Sequence, residues 1–294
     1  MKKNNFKIDF IGIGAPRSGS TWIYECLKEH PEICLTSKKV TKFFIHDNLY
    51  KKGINFYKDF YNHCQNKKTK GEFDSGCLHH KIAAQRIKSN FPDVKIIACL
   101  RNPTERAFSH YLIHQARGKT DKPFSDLLED TNNRYLWPGF YYHHLKEYFK
   151  LFSKDQVLVV FYNDLKNNPH EFIENIYKFL GVDKSFQPSV LNKKVNYSGF
   201  YKTRIRFINV WLYKIIRVFY QSRFLRKFLP ILKKARLDKL RDFIRRTNTK
   251  RGVDYSKYEK PEINLNDKKN LQKIFKEDIE KLEKEIDKDL SDWK

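Results

Sequence analysis

The sequence predicts an α/β fold in which a parallel sheet lies between layers of helices. Three observations predict it. Short apolar, β-rich runs alternate with helical patterns from residue 6 to residue 180. The first run breaks at a Gly/Pro turn that leads into a helix. Arg17 and Arg101 each follow one of the runs, which puts both on the carboxyl edge where such sheets bind ligands.

The elements follow in order. Residues 6–13 read as an apolar strand, and residues 21–28 as the helix after the turn. Residues 33–35 form a short second strand, and another short strand lies around 71–74. A helical pattern covers 79–90, a strand 94–100 and a helix 104–116. Helix 141–152, strand 157–161 and helix 169–180 complete the alternation. The last helix, 267–288, places Leu271, Ile274, Phe275, Ile279, Leu282 and Ile286 on one stripe. Asn264 or Asn266 serves as its N-cap, and the stripe is expected to dock against the sheet.

Residues 201–250 break the rhythm. Apolar positions such as Ile208, Trp211, Ile215, Phe219 and Leu225 are interleaved with Lys and Arg. The pattern is one or two basic amphipathic helices, packed on the core, closing over substrate or lying on an anionic membrane. Residues 201–251 hold 17 Lys/Arg against Asp238 and Asp242, a net +15 of the whole chain's +25. Such a field attracts acidic glycans or anionic lipid headgroups. Nucleic acid is the poorer partner, because the aromatic residues there sit at core-facing helical spacing.

At 294 residues and 40% hydrophobic content, the chain suffices for a full core. We read one domain over 1–294, with a helical insertion at 201–251 and a docking helix at 262–294. No apolar run reaches membrane-span length. Five scattered cysteines without CxxC spacing are expected to be reduced, in a cytoplasmic protein that contacts the inner membrane face at most peripherally. No Cys/His or acidic cluster has metal-site spacing, so no metal is expected.

The chemistry concentrates in two stretches. The first runs Ile11-Gly12-Ile13-Gly14-Ala15-Pro16-Arg17-Ser18-Gly19-Ser20-Thr21-Trp22. A strand, a Gly/Pro turn and a helix start aim backbone N–H groups and a helix dipole at one spot, which suits phosphate or sulfate. The stretch is P-loop-like, but it lacks the GxxxxGK[ST] spacing and carries Arg17 in place of the lysine. A Mg-dependent nucleoside triphosphatase is therefore not the reading. The second stretch has Arg101-Asn102-Pro103 directly after a strand and Ser109 further along a helix.

Together the two stretches resemble the 5′-phosphosulfate loop and the 3′-phosphate motif of sulfotransferases that use 3′-phosphoadenosine 5′-phosphosulfate (PAPS). The resemblance runs over residues 7–200 and 262–293, nearest to the heparan and carbohydrate branch. It implies PAPS as co-substrate without a metal, and transfer of a sulfuryl group to a hydroxyl or amine of a carbohydrate or glycolipid-like acceptor. It assigns Arg17 to the leaving phosphate, and Ser18, Gly19, Ser20 and Thr21 to the 5′-phosphate. Trp22 either stacks on adenine or packs in the core. Arg101 and Ser109 would hold the 3′-phosphate, with Asn196 and Ser198 in support. Lys250-Arg251-Gly252 is similar to a late basic loop that closes over the cofactor, although an ordinary charged loop is the simpler reading.

A general base must take the acceptor's proton. In the glycan branch a Lys-Glu pair precedes Phe-Phe, and the Glu is that base. Here the string is Lys39-Val40-Thr41-Lys42-Phe43-Phe44, so Lys39 matches and Val40 replaces the Glu. Other candidates are Glu72 and Asp74, which strand alternation places on one side, and the neighbouring His79 and His80. His143 and His144 are further residues able to line the acceptor side. Val40 also leaves open a second reading: a catalytically degenerate nucleotide- or polyanion-binding protein on the same fold.

Overall fold

The computed structural model describes residues 6–64, 67–116, 119–191 and 261–294. The chain divides into two compact units. The larger comprises Met1–Ala107, Thr131–Tyr197 and Lys269–Lys294, and the smaller comprises Phe108–Asp130 and Ser198–Lys268. Asn196, Ser198, Lys250-Arg251-Gly252 and the basic 201–251 segment lie outside the described residues.

The larger unit is built on β1 (Phe10–Gly14), β2 (Ile33–Leu35), β3 (Thr69–Phe73), β4 (Lys95–Leu100) and β5 (Val157–Phe161). They form one parallel sheet in the order β2-β3-β1-β4-β5. All five residues of β1 are buried, as expected for a central strand covered on both faces. The helices are α1 (Ser20–Glu29), α2 (Asp47–Tyr50), α3 (Gly53–Lys58), α4 (Ala83–Asn90), α5 (Pro103–Ala116), α6 (Tyr141–Leu151), α7 (Tyr162–Asn167), α8 (Pro169–Leu180) and α9 (Leu265–Ile286).

One core layer joins Trp22, Ile23 and Leu27 of α1 to Phe172, Ile176 and Tyr177 of α8, over Phe10, Phe73, Ile97 and Cys99 of the sheet. A separate aromatic group, Phe6, Phe43, Phe44, Tyr57, Tyr61 and Phe91, packs with ring centroids 4.8–6.3 Å apart. In the smaller unit Phe108, Tyr111 and Phe124 pack together, and the Tyr111 hydroxyl donates to the Lys122 carbonyl at 3.1 Å.

Three differences from the sequence reading have physical reasons. The first helix spans Ser20–Glu29, one residue beyond the 21–28 pattern at each end, and starts no earlier because Arg17 (φ 73°) and Gly19 (φ 87°) are left-handed and cannot join a right-handed helix. The final helix is also anchored at the start of α6, a contact its apolar stripe did not predict. Asp278 accepts the Tyr142 and His143 N–H groups at 2.9 Å each, satisfying donors at the α6 N-terminus, while Lys288 and Trp293, just beyond the helix, both reach the Phe161 ring of β5. The third concerns the cysteines. Cys34 and Cys64 form a disulfide, so only Cys26, Cys77 and Cys99, all buried, fit the expectation of free thiols. Asn264 is the cap of α9, its side-chain oxygen accepting the Asp267 N–H at 2.8 Å. Among the described residues, no helix is long and apolar enough to cross a membrane.

Candidate active site

The anion loop is held by its neighbours on both sides. Ala15 N–H donates to the Cys99 carbonyl at 2.7 Å, and Leu78 N–H to the Ile13 carbonyl at 2.8 Å. The Cys99 thiol donates to the Ser18 carbonyl at 2.8 Å. Gly19 stands where the chain turns into α1, in a left-handed conformation that favours glycine. A Cβ there would lie 2.7 Å from Leu165 Cδ2. No side chain caps α1, so the N–H groups of its first turn and the positive end of its dipole remain available to an anion.

Arg101 follows β4 and is 7% exposed. Its guanidinium donates to the Arg17 carbonyl at 3.5 Å, which joins the two motifs at one point on the sheet edge. Its Nε and Nη2 donate to Glu105 Oε2 at 3.0 and 2.7 Å. It also lies 4.7 Å above the Tyr162 ring. The Tyr141 hydroxyl fixes the backbone by donating to the Arg101 carbonyl at 2.7 Å. Ser109 is buried on α5 and belongs to the smaller unit.

Lys39 reaches the same loop. Its Nζ donates to Thr21 Oγ1 at 2.7 Å and lies 5.0 Å over the Tyr24 ring. Burial lowers its pKa, because a partly desolvated ammonium is disfavoured.

The carboxylates at the end of β3 have a different part. Glu72 lies in β3 and Asp74 directly follows the strand's last residue, and both are buried. Thr41 Oγ1 donates to Glu72 Oε2 at 2.7 Å. Asp74 accepts the N–H groups of Lys42 at 3.1 Å and Gly76 at 3.0 Å. The pair therefore anchors the 39–44 loop. Burial first, and Asp74 second, push the Glu72 pKa up to about 8, and burial raises Asp74 as well. Neither carboxylate is exposed, and both hold the stretch of chain that carries Lys39.

Trp22 is a core residue. It is 6% exposed, with its ring edge-to-face on Phe172 at 6.1 Å, so it is packed rather than stacked on a nucleotide. The histidines gather around Trp137. His143 and His144 lie 4.9 and 4.8 Å from its ring, and His79 is 6.2 Å from His144. Burial lowers His79 and His144 to about 4, so both are neutral near pH 7. His80 is half-buried, its Nδ1 makes no hydrogen bond, and burial, then Arg86, lowers its pKa. Residue spacing alone missed Thr41, Tyr141 and Tyr162. Glu105 was missed as well, because Arg101 precedes α5 and the helical i,i+4 spacing does not cover the pair.

The family model for the sulfotransferase domain matches residues 7–284. The chain belongs to the sulfotransferase family. Among curated relatives, the bifunctional heparan sulfate N-deacetylase/N-sulfotransferase 2 of Homo sapiens is 29% identical over 194 residues, covering 59% of this chain and 22% of that protein. Enzyme 4 of the same name from Mus musculus is 29% identical over 199 residues, covering 61% and 23%. The chain thus spans under a quarter of these relatives. A sulfotransferase crystal structure from Alicyclobacillus acidocaldarius superposes with a TM-score of 0.70 over 98% of this chain and 99% of that one, at 20% identity. This likeness confirms the sulfotransferase fold: a P-loop-like parallel sheet flanked by helices.

Proposed function

We propose that this sulfotransferase domain moves the sulfuryl group of PAPS to a hydroxyl or amine of an anionic glycan or glycolipid-like acceptor. One observation carries the reading: the Arg101 guanidinium meets the Arg17 carbonyl, so two anion-binding motifs far apart in sequence share one edge. The uncapped α1 start and the Gly19 cradle fit a 5′-phosphate, and Arg101 fits a second phosphate once Glu105 yields. PAPS supplies the activated sulfuryl group. Arg17 is a permanent cation beside the leaving phosphate. Lys39, pinned to Thr21, adds a second cation at the loop.

His80 is our candidate base. It is half-buried, carries a nitrogen without a hydrogen-bond partner, and has a pKa that favours the neutral form. His80→Ala should lower kcat by about 10²-fold at unchanged nucleotide affinity. An unchanged kcat would remove it from the reaction. The relatives named for heparan sulfate N-sulfotransfer favour an amine on a glycan, and the net charge of +25 favours an anionic acceptor. Peripheral contact with an anionic membrane surface belongs to the same proposal, on the basic 201–251 segment.

The first test is calorimetric titration with 3′-phosphoadenosine 5′-phosphate against 5′-AMP, on wild type and Arg101→Ala. Binding that needs both the 3′-phosphate and Arg101 is expected; equal binding of both nucleotides overturns the assignment. The second reading, a catalytically degenerate nucleotide- or polyanion-binding protein, is favoured by Val40 and by the buried Glu72 and Asp74. Nucleotide binding with no transfer of labelled sulfuryl group to a panel of amino and hydroxyl glycans would establish it.

A further inference from the structure

Away from the anion loop, the fold gathers three ligand-type side chains that the sequence keeps apart. Cys34 lies in the middle of β2, and His63 and Cys64 follow the turn before β3. One ligand atom from each residue falls within 4.8 Å of the others. His63 Nε2 stands 3.5 Å from Cys34 Sγ and 3.9 Å from Cys64 Sγ. Metal–sulfur bonds of about 2.3 Å and metal–nitrogen bonds of about 2.0 Å, held at tetrahedral angles, place sulfur and nitrogen donors about 3.5 Å apart. Two edges of the triangle already have that length, and the third is closed by the disulfide. The cysteines are buried beneath an exposed His63, which leaves an entry path.

The cluster does not depend on the disulfide for its assembly. β2 pairs with β3 from Ile33 to Leu35. Ser37 N–H donates to the Phe60 carbonyl at 2.9 Å, and Thr69 N–H to the Glu32 carbonyl at 3.0 Å. These backbone bonds bracket the cysteines on both sides and keep them together when reduced. The enclosed stretch carries Lys39 and Thr41, the residues that reach Thr21 and Glu72.

We propose that Cys34, His63 and Cys64 bind a thiophilic d10 cation, Zn²⁺ as the probe, when the disulfide is open. A dithiol opens it by exchange: the S–S bond takes two electrons and two protons and becomes two thiols, while the dithiol becomes a disulfide. The cation then displaces the two thiol protons and takes the lone pair of His63 Nε2, with water in the fourth position. Disulfide and metal bridge are alternative staples on one loop, so the Lys39 segment stays tied down in oxidising and reducing surroundings alike.

The test titrates the full chain with Co²⁺ and then Zn²⁺, once reduced under anaerobic conditions and once oxidised. The reduced chain should take about one equivalent, with thiolate-to-cobalt absorption that Zn²⁺ bleaches, and Zn²⁺ should raise its melting temperature. The oxidised chain should do neither. Cys34→Ser and Cys64→Ser should lose the thiolate band, and His63→Ala should bind at least about tenfold more weakly. No binding by the reduced wild type, equal binding by the oxidised chain, a band retained in Cys34→Ser, or unchanged affinity in His63→Ala each overturns the site. The comparison of redox states uses wild type alone, so it decides the matter even if a variant fails to fold.

Discussion

The anion loop and the β3 carboxylate pair sit at the same end of the sheet and are built on opposite plans. The loop is consecutive sequence. Gly14 to Thr21 supply its turn, its cation and its helix start, and it offers backbone donors outward. The carboxylate pair works inward. Glu72 and Asp74 gain their partners, Thr41 and Lys42, from about thirty residues upstream. The comparison teaches that a charged side chain at a ligand-binding edge is not thereby a ligand-binding group. Glu72 is fully buried with a pKa near 8, which makes it a mostly neutral tether at pH 7.

The comparison can be broken at its strongest point first. Arg17→Ala should lower sulfuryl transfer by about 10²–10³-fold with the melting temperature unchanged. A fall in stability in place of activity would turn the loop into a structural element like its neighbour.

Glu72→Gln tests the other side through pH. Folding raises this carboxyl's pKa from its ordinary value to about 8, so the native state holds the proton more tightly than the unfolded chain. The stabilisation is full below the unfolded pKa and is lost as pH rises through about 8. Wild type should lose on the order of 3 kcal/mol between pH 5 and pH 8 from this group, and the amide variant should not. Denaturant unfolding at both pH values checks it. A flat wild-type profile would mean that Glu72 stays ionised and is open to catalysis.

Thr41→Val removes the hydroxyl that Glu72 uses and should cost about 1–3 kcal/mol at pH 8, read by urea midpoint. It should also raise KM for PAPS more than it lowers kcat, because Lys39 loses its support. Glu105→Gln is the smallest change. The acid is half exposed against Arg101, so its hold is worth at most about 1 kcal/mol. Its removal should tighten 3′-phosphoadenosine 5′-phosphate binding a few-fold by calorimetry. Weaker binding would instead make Glu105 the residue that aims Arg101.

What was legible in the sequence follows from range. Strands 33–35 and 157–161 and helix 169–180 appear where their patterns place them, because period and breakers act over a few residues. Less legible was any property that needs a partner from elsewhere. Trp22 suits a nucleotide face and a core equally as a residue type, and Phe172 on α8 decides for the core. The final helix shows its apolar stripe plainly, whereas its seat at the α6 N-terminus rests on Asp278 meeting two backbone N–H groups.

The sequence by itself determined the α/β alternation, the strand–turn–helix anion cradle around Arg17 and the second cation at Arg101. Each is a short-range arrangement of backbone geometry and charge that neighbouring residues enforce. The tertiary structure alone decided that Arg101 meets the Arg17 carbonyl, that Glu72 and Asp74 tether the Lys39 loop, and that Cys34 joins His63 and Cys64. Burial and pairing set the protonation and role of these groups, and both depend on which distant strands and loops the packed sheet brings within a few ångströms.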